Sequence, residues 1–157
     1  MAVTNLHKDQ DDHAARMAQF AIDSVAAASE TLIDTDDPAK GFVKIRAGFH
    51  SGPIVADVVG SRCPKYTLFG DTVNTASRME SNSLPSRIQC SDRSAELVMA
   101  QGPDIPMSAR GQIHVKGKGD MFTYWVNEFS SVMQHAATLD TNGAQPEEQS
   151  KQSIEKA

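Results

Sequence analysis

Residues 66–81 read YTLFGDTVNTASRMES, and the fold turns on how this stretch is read. The run 67–69 suits a short strand. Gly70 breaks it, and Asp71 can cap a helix reaching about Ser81. At about 100° per residue, Asn74 and Arg78 fall on one helix face, while Val73, Ala76 and Met79 cluster on another that would pack inward. An amide and a forked cation held by one rigid element suit negative charge developing on a phosphate. On spacing alone, an ordinary solvated face explains the pair better.

Working outward, 42–50 (FVKIRAGFH) reads as a strand, 51–53 (SGP) as a tight turn and 54–60 (IVADVVG) as a second strand. These two can pair as a hairpin. The first would set Ile45, Ala47 and Phe49 on one face and Arg46 on the other, where a solvated arginine is the simple reading. Upstream, Asp11 or Asp12 can cap a long helix to about Ile33, with Met17, Ala18, Ala21, Val25, Ala28 and Leu32 as its apolar face. The segment 35–41 (TDDPAKG) closes it through Pro38 and Gly41. Downstream come a loop (60–66), then, after the 66–81 stretch, another loop (81–86), a strand (87–90) and a helix capped by Ser91 to about Ala100. The last feature is a closing hairpin in which 116–120 (KGKGD) turns between 111–115 and 121–126. Lys116 in that turn reads first as a solubility lysine, and Gly117 and Gly119 supply conformational freedom. Strands alternating with helices point to a layered α/β or α+β domain.

The length of 157 residues allows one domain and a tail. After Phe129 the chain is rich in Ser, Gln, Glu and Ala and has no aromatic residue, so 130–157 is expected to be disordered and 1–129 to be the ordered body. A net charge of -5 argues against a general nucleic-acid binder but not against an anionic nucleotide. No apolar run is long enough to span a membrane, and the N-terminus has no apolar signal core. Two cysteines, Cys63 and Cys90, are expected to be reduced thiols in a cytoplasmic setting. No CxxC or HExxH pattern occurs, so no zinc site is expected. Nothing around His50 suggests a base.

The run GDTVNTASRME, with YTLF before it, IRAGFHSG upstream and VKGKGDMFTYWV downstream, resembles the class III nucleotidyl cyclases. In detail it is most similar to eukaryotic guanylate cyclases, over about Met1 to Glu128. The resemblance implies an α+β domain, with an antiparallel-rich sheet covered by helices. It implies attack of a nucleotide 3′ hydroxyl on its own α-phosphorus with loss of pyrophosphate, at sites shared between two domains of a homodimer or heterodimer. By the same resemblance, Asn74 orients the ribose, Arg78 stabilises α-phosphate charge, Arg46 and Lys116 hold the outgoing phosphates, and Thr67 touches the purine. Two ions, Mg2+ or Mn2+, are implied, held by two aspartates.

The sequence departs from the family twice. Residues 1–19 resemble the segment that directly follows the second metal aspartate, so neither carboxylate is expected in this chain. Asp11, Asp12, Asp34, Asp36 and Asp37 do not match them, and no metal residue is assigned. The domain is therefore read as a C-terminal portion, inactive alone, whose sheet has an unpaired edge. A partner supplying the aspartates would make it a non-catalytic dimerisation half. The second departure is Thr67, where guanylate cyclases usually carry cysteine. Threonine there leans towards ATP, against flanking residues that point to GTP.

Overall fold

The computed structural model describes residues 1–128. The expected disorder of 130–157, and the boundary at 129, lie outside the described residues.

Helix α1 (His13–Glu30) buries Ala14, Ala18 and Ala21, with Met17, Ile22 and Val25 packed beside them. This is the stripe its 3.6-residue period requires. The helix stops at Thr31 rather than Ile33, and Leu32 already forms an extended bridge to Phe42. Asp12 occupies the N-cap position without capping, because its carboxylate accepts from Arg16 Nε at 2.6 Å. The orphan N–H groups of Ala14 and Ala15 instead donate to Gln101 Oε1, at 2.8 and 3.4 Å, from the last turn of a later helix. Pro38–Lys40 forms a short 3-10 turn, closing the segment as its breakers suggest.

Six strands follow among the described residues: β1 (Ala47–Phe49), β2 (Val55–Val59), β3 (Lys65–Phe69), β4 (Ile88–Ser91), β5 (Met107–Val115) and β6 (Gly119–Val126). Two further helices, α2 (Asp71–Ser81) and α3 (Asp92–Gln101), flank β4 in the chain. Four strands form a sheet ordered β1-β4-β6-β5, with β1 parallel to β4 and the other pairs antiparallel. β2 and β3 form a separate antiparallel ribbon. The expected hairpin between 42–50 and 54–60 therefore does not form, and only Ala47–Phe49 of the first segment is strand. The turn joining them is held sideways. Thr72 Oγ1 donates to the Pro53 carbonyl at 2.7 Å, and Ser94 Oγ donates to Ser51 Oγ at 3.1 Å. Pro53 also has no N–H for a ladder. The chain leaves the sheet there and pairs with β3 instead.

Alternate residues of β1 and β4 serve opposite faces. Ala47, Phe49, Ile88 and Cys90 join α1, Ala95 and Val98 in the main core. Gly48 and Gln89 face α2, where Gln89 Nε2 lies 3.9 Å from Met79 Sδ. A Cβ at Gly48 would lie 2.1 Å from the Glu80 nitrogen and 2.3 Å from the Met79 carbonyl carbon. Glycine here is what lets α2 press onto the sheet. Arg110, at a bulge in β5, and Arg87 both stack on Trp125, with guanidinium carbons 4.5 and 3.9 Å from the ring centroid.

Candidate functional site

Helix α2 presents three faces. Thr72, Thr75 and Met79 are buried. This corrects the inward face read from the sequence, since Val73 and Ala76 are only half-buried. Those two lie, with Ser77 and Glu80, along a cavity of about 680 Å3 that is also lined by Met17 and Phe20 of α1. The remaining face carries Asp71, Asn74 and Arg78, which fall within about 60° of one another at 100° per residue. Asn74 is exposed and Arg78 is half-exposed.

Gly70, with φ 126°, is the N-cap of α2, and Asp71 is its first residue rather than its cap. The Gly70 backbone turns β3 directly into the helix, a conformation that suits glycine. The Asp71 carboxylate instead contacts Lys118 Nζ, from the turn between β5 and β6. That turn is closed by the Lys118 N–H donating to the Val115 carbonyl at 2.9 Å, with Gly117 at φ 79° and Gly119 at φ 77°. Lys116 stands exposed in it. Among the described residues neither Arg78 nor Lys116 belongs to an ion pair, so both cations remain available to an anion.

Thr67 lies on β3, which runs into α2 through Gly70. It is half-buried, and its hydroxyl donates to the Lys65 carbonyl at 3.2 Å. The oxygen keeps its acceptor capacity. Arg46 is not brought to this face. It pairs with Glu80 at 3.1 Å, and Glu80 sits about 200–240° around α2 from Arg78 and Asn74. Arg46 thus lines the cavity on the helix's other side, where β1 has no strand partner on its outer edge among the described residues. The sequence reading missed the Asp71–Lys118 contact, the Arg46–Glu80 pair and the cap from Gln101. Each joins residues tens of positions apart, so no local pattern announces them.

The other titratable groups near the sheet are structural. His50 Nδ1 lies 2.6 Å from Ser91 Oγ, and burial holds its imidazole below the ordinary value, helped by the charge of Arg93. Burial pushes the Cys90 thiol up to about 12, while Cys63 is exposed in the loop after β2. Asp34 accepts from Lys40 Nζ at 2.6 Å, and Asp37 accepts from the Ala39 N–H at 3.2 Å. Among the described residues no group of three or more His, Cys, Asp or Glu could hold a metal ion. No helix among them is long and apolar enough to cross a membrane.

Comparison with known proteins gives a consistent picture. The family profile described as "Adenylate and Guanylate cyclase catalytic domain" matches residues 1–128. Receptor-type guanylate cyclase gcy-28 of Caenorhabditis elegans is 42% identical over 132 residues, covering 84% of this chain and 10% of that protein. Guanylate cyclase soluble subunit beta-2 of Rattus norvegicus is 43% identical over 127 residues, covering 80% of this chain and 18% of the relative. The chain therefore spans about a tenth to a fifth of the length of the relatives it matches. Among solved structures, the guanylate cyclase domain of RhGC from Catenaria anguillulae in complex with GTP superposes with a TM-score of 0.69 at 36% identity, over 78% of this chain and 64% of that one.

Proposed function

The chain belongs to the family of adenylate and guanylate cyclase catalytic domains, and from that premise we propose that it is part of a guanylate cyclase, making cyclic GMP and pyrophosphate from GTP in intracellular signalling. The observation that carries this is the face of α2 bearing Asp71, Asn74 and Arg78, where Asp71 meets Lys118 of the turn that also bears Lys116 and where, among the described residues, Arg78 belongs to no ion pair. In the reaction the 3′ hydroxyl of GTP attacks the α-phosphorus, a P–O bond forms, and the bond to pyrophosphate breaks. Asn74 orients the ribose. Arg78 meets the charge that grows on the α-phosphate, an interaction stronger in the transition state than in the ground state. Lys116 holds the departing phosphates as a point charge. Thr67 offers its oxygen to the purine edge.

Arg46 has a different part in this reading. Its phosphate-binding role belongs to a second site, on the cavity side of α2, and requires it to exchange Glu80 for an anion. This agrees with a head-to-tail dimer, in which one domain lends Asn74 and Arg78 while the other supplies the opposite half.

Family membership implies a divalent metal. The described residues do not fit one, so no step here runs through it. We propose that Mg2+ or Mn2+ is held by carboxylates these residues do not supply, and that the chain alone is inactive. Two other readings have specific support. Thr67 in place of cysteine favours ATP. The lack of a metal-holding group among the described residues, with Val55, Val58 and Tyr66 exposed on the β2–β3 ribbon, favours a non-catalytic dimerisation half.

The test is complementation. The chain is assayed with Mn2+ and GTP or ATP, alone and mixed with a family catalytic domain that keeps its metal aspartates but has lost its own counterpart of Arg78. The chain alone gives no product. The mixture gives cyclic GMP, and Arg78→Ala in this chain lowers kcat by ~10²-fold with little change in KM, the scale of a lost charge-stabilising donor. A mixture that stays silent with both nucleotides refutes the catalytic reading.

A further inference from the structure

We propose that Asp71 and Lys118 form a clasp that positions Lys116 against the Asn74–Arg78 face of α2; the proposal rests on the phosphate-binding role assigned above to that face. Two lysines stand in the same turn, and the structure divides their work. Lys118 turns towards α2, with 29% of its side chain exposed, and meets the Asp71 carboxylate. Lys116 points out and has no ion-pair partner among the described residues.

The clasp matters because little else holds the turn. A Cβ at Gly117 or Gly119 would meet nothing within 4 Å, so no packing surrounds the loop. Among the described residues, Lys118 to Asp71 is the one hydrogen bond or ion pair joining residues 116–119 to anything outside the β5–β6 hairpin. β5 and β6 are the longest strands of the sheet, and β5 is its edge. A long edge hairpin pivots at its tip unless the tip is tied. Asp71 ties it to the first turn of α2, where the helix dipole also favours a carboxylate. Asp71 shares a helix face with Asn74 and Arg78, so tying Lys118 there delivers Lys116 to that same face.

A direct role for Lys118 in holding phosphate predicts the opposite sign of effect. Removing the Asp71 charge would then free Lys118, remove a repulsive carboxylate and strengthen anion binding. In the clasp, removing it lets Lys116 drift and weakens anion binding. The experiment uses the full chain, with Asp71→Asn, Lys118→Met, the double variant and Lys118→Arg. Amide hydrogen exchange reports on 115–119 and, as a control, on 75–81, and tripolyphosphate affinity is measured by calorimetry. Exchange at the turn is expected to rise ~3–5-fold in each single variant, the scale of a partly exposed ion pair. The double variant should go no further, Lys118→Arg should restore protection, and exchange at 75–81 should not move. Tripolyphosphate affinity should fall ~3-fold in Asp71→Asn on the same scale. Unchanged exchange at the turn, or tighter tripolyphosphate binding in Asp71→Asn, overturns the clasp. If tripolyphosphate binds no form of the chain, the phosphate role proposed for this face falls, and exchange alone decides the clasp.

Discussion

Replacing Gly48 with alanine tests whether the helix carrying Asn74 and Arg78 is set by one close backbone approach. The added Cβ would stand 2.1 Å from the Glu80 nitrogen, 2.3 Å from the Met79 carbonyl carbon and 2.6 Å from the Glu80 Cα, all of them backbone atoms. Ordinary contact begins at 3.4 Å, so α2 must retreat by about 1.3 Å. No rotamer change can absorb that. Retreat would loosen Met79 and Thr75, both essentially inaccessible to solvent, and weaken the contact with Gln89. Overpacking that side chains can absorb costs ~1–3 kcal/mol, so a clash with backbone belongs at or beyond ~3 kcal/mol. With a urea m-value of ~2 kcal/mol/M, the unfolding midpoint should drop by ~1.5 M. Fluorescence of Trp125, the single tryptophan, reports the transition. Gly111→Ala is the control. It has φ 96° and nothing within 4 Å of a new Cβ, so it should lose only the ~1–2 kcal/mol of left-handed strain. A Gly48→Ala midpoint within ~0.3 M of the parent chain would refute the close approach, and with it the account of how α2 is seated.

Three further outcomes are expected. Cys90 is a neutral thiol whose folded value is raised from 9.0 to about 12, so its contribution is constant below pH 9 and is lost as pH climbs towards 12. Between pH 9 and 10 the parent chain should lose up to ~1.4 kcal/mol more than Cys90→Ala does, read from urea midpoints; equal losses would refute the burial argument. Arg110 donates to the Asn82 carbonyl at 2.6 Å and to the Oε1 of the fully buried Gln89. Arg110→Met should therefore cost ~1–3 kcal/mol in the same assay, the cost of an unmet buried acceptor, and a loss below ~0.5 kcal/mol would show that water or a rotated Gln89 takes over. In the complemented enzyme, Thr67→Cys should raise the GTP:ATP ratio of kcat/KM, by an amount bounded by the ~1–3 kcal/mol of one buried hydrogen bond; an identical ratio means that Thr67 does not read the base.

What the sequence determined by itself is what short-range pattern encodes. Ala18 and Ala21 marked the buried stripe of α1, Ser91 marked the start of α3, and the glycines of 116–120 marked the closing turn, because helical period, N-caps and tight turns are written within a few residues. The 66–81 motif carried the family, and its helical period set Asn74 and Arg78 on one face. Tertiary structure decided everything that depended on a distant partner. Pairing of 42–50 with 54–60 looked favourable from alternation alone, but Thr72 and Ser94 pull the intervening turn aside, and β1 takes β4 as its parallel neighbour. Asp12 and Asp71 both look like helix caps, yet Arg16 and Lys118 claim their carboxylates, and Gln101 caps α1 from the far end of another helix. Val73 and Ala76 match the helical period as well as Thr72 and Thr75 do. Which face turns inward is set by where Gly48 lets the sheet come close, a choice that lies in backbone approach and not in side-chain hydrophobicity. Arg46 was grouped with Asn74 and Arg78 by family likeness, while the geometry of one chain sets it beyond α2 with Glu80. Local free energies of capping and turning are settled by neighbours in sequence. The choice among competing partners of similar strength is settled only when the chain has closed on itself.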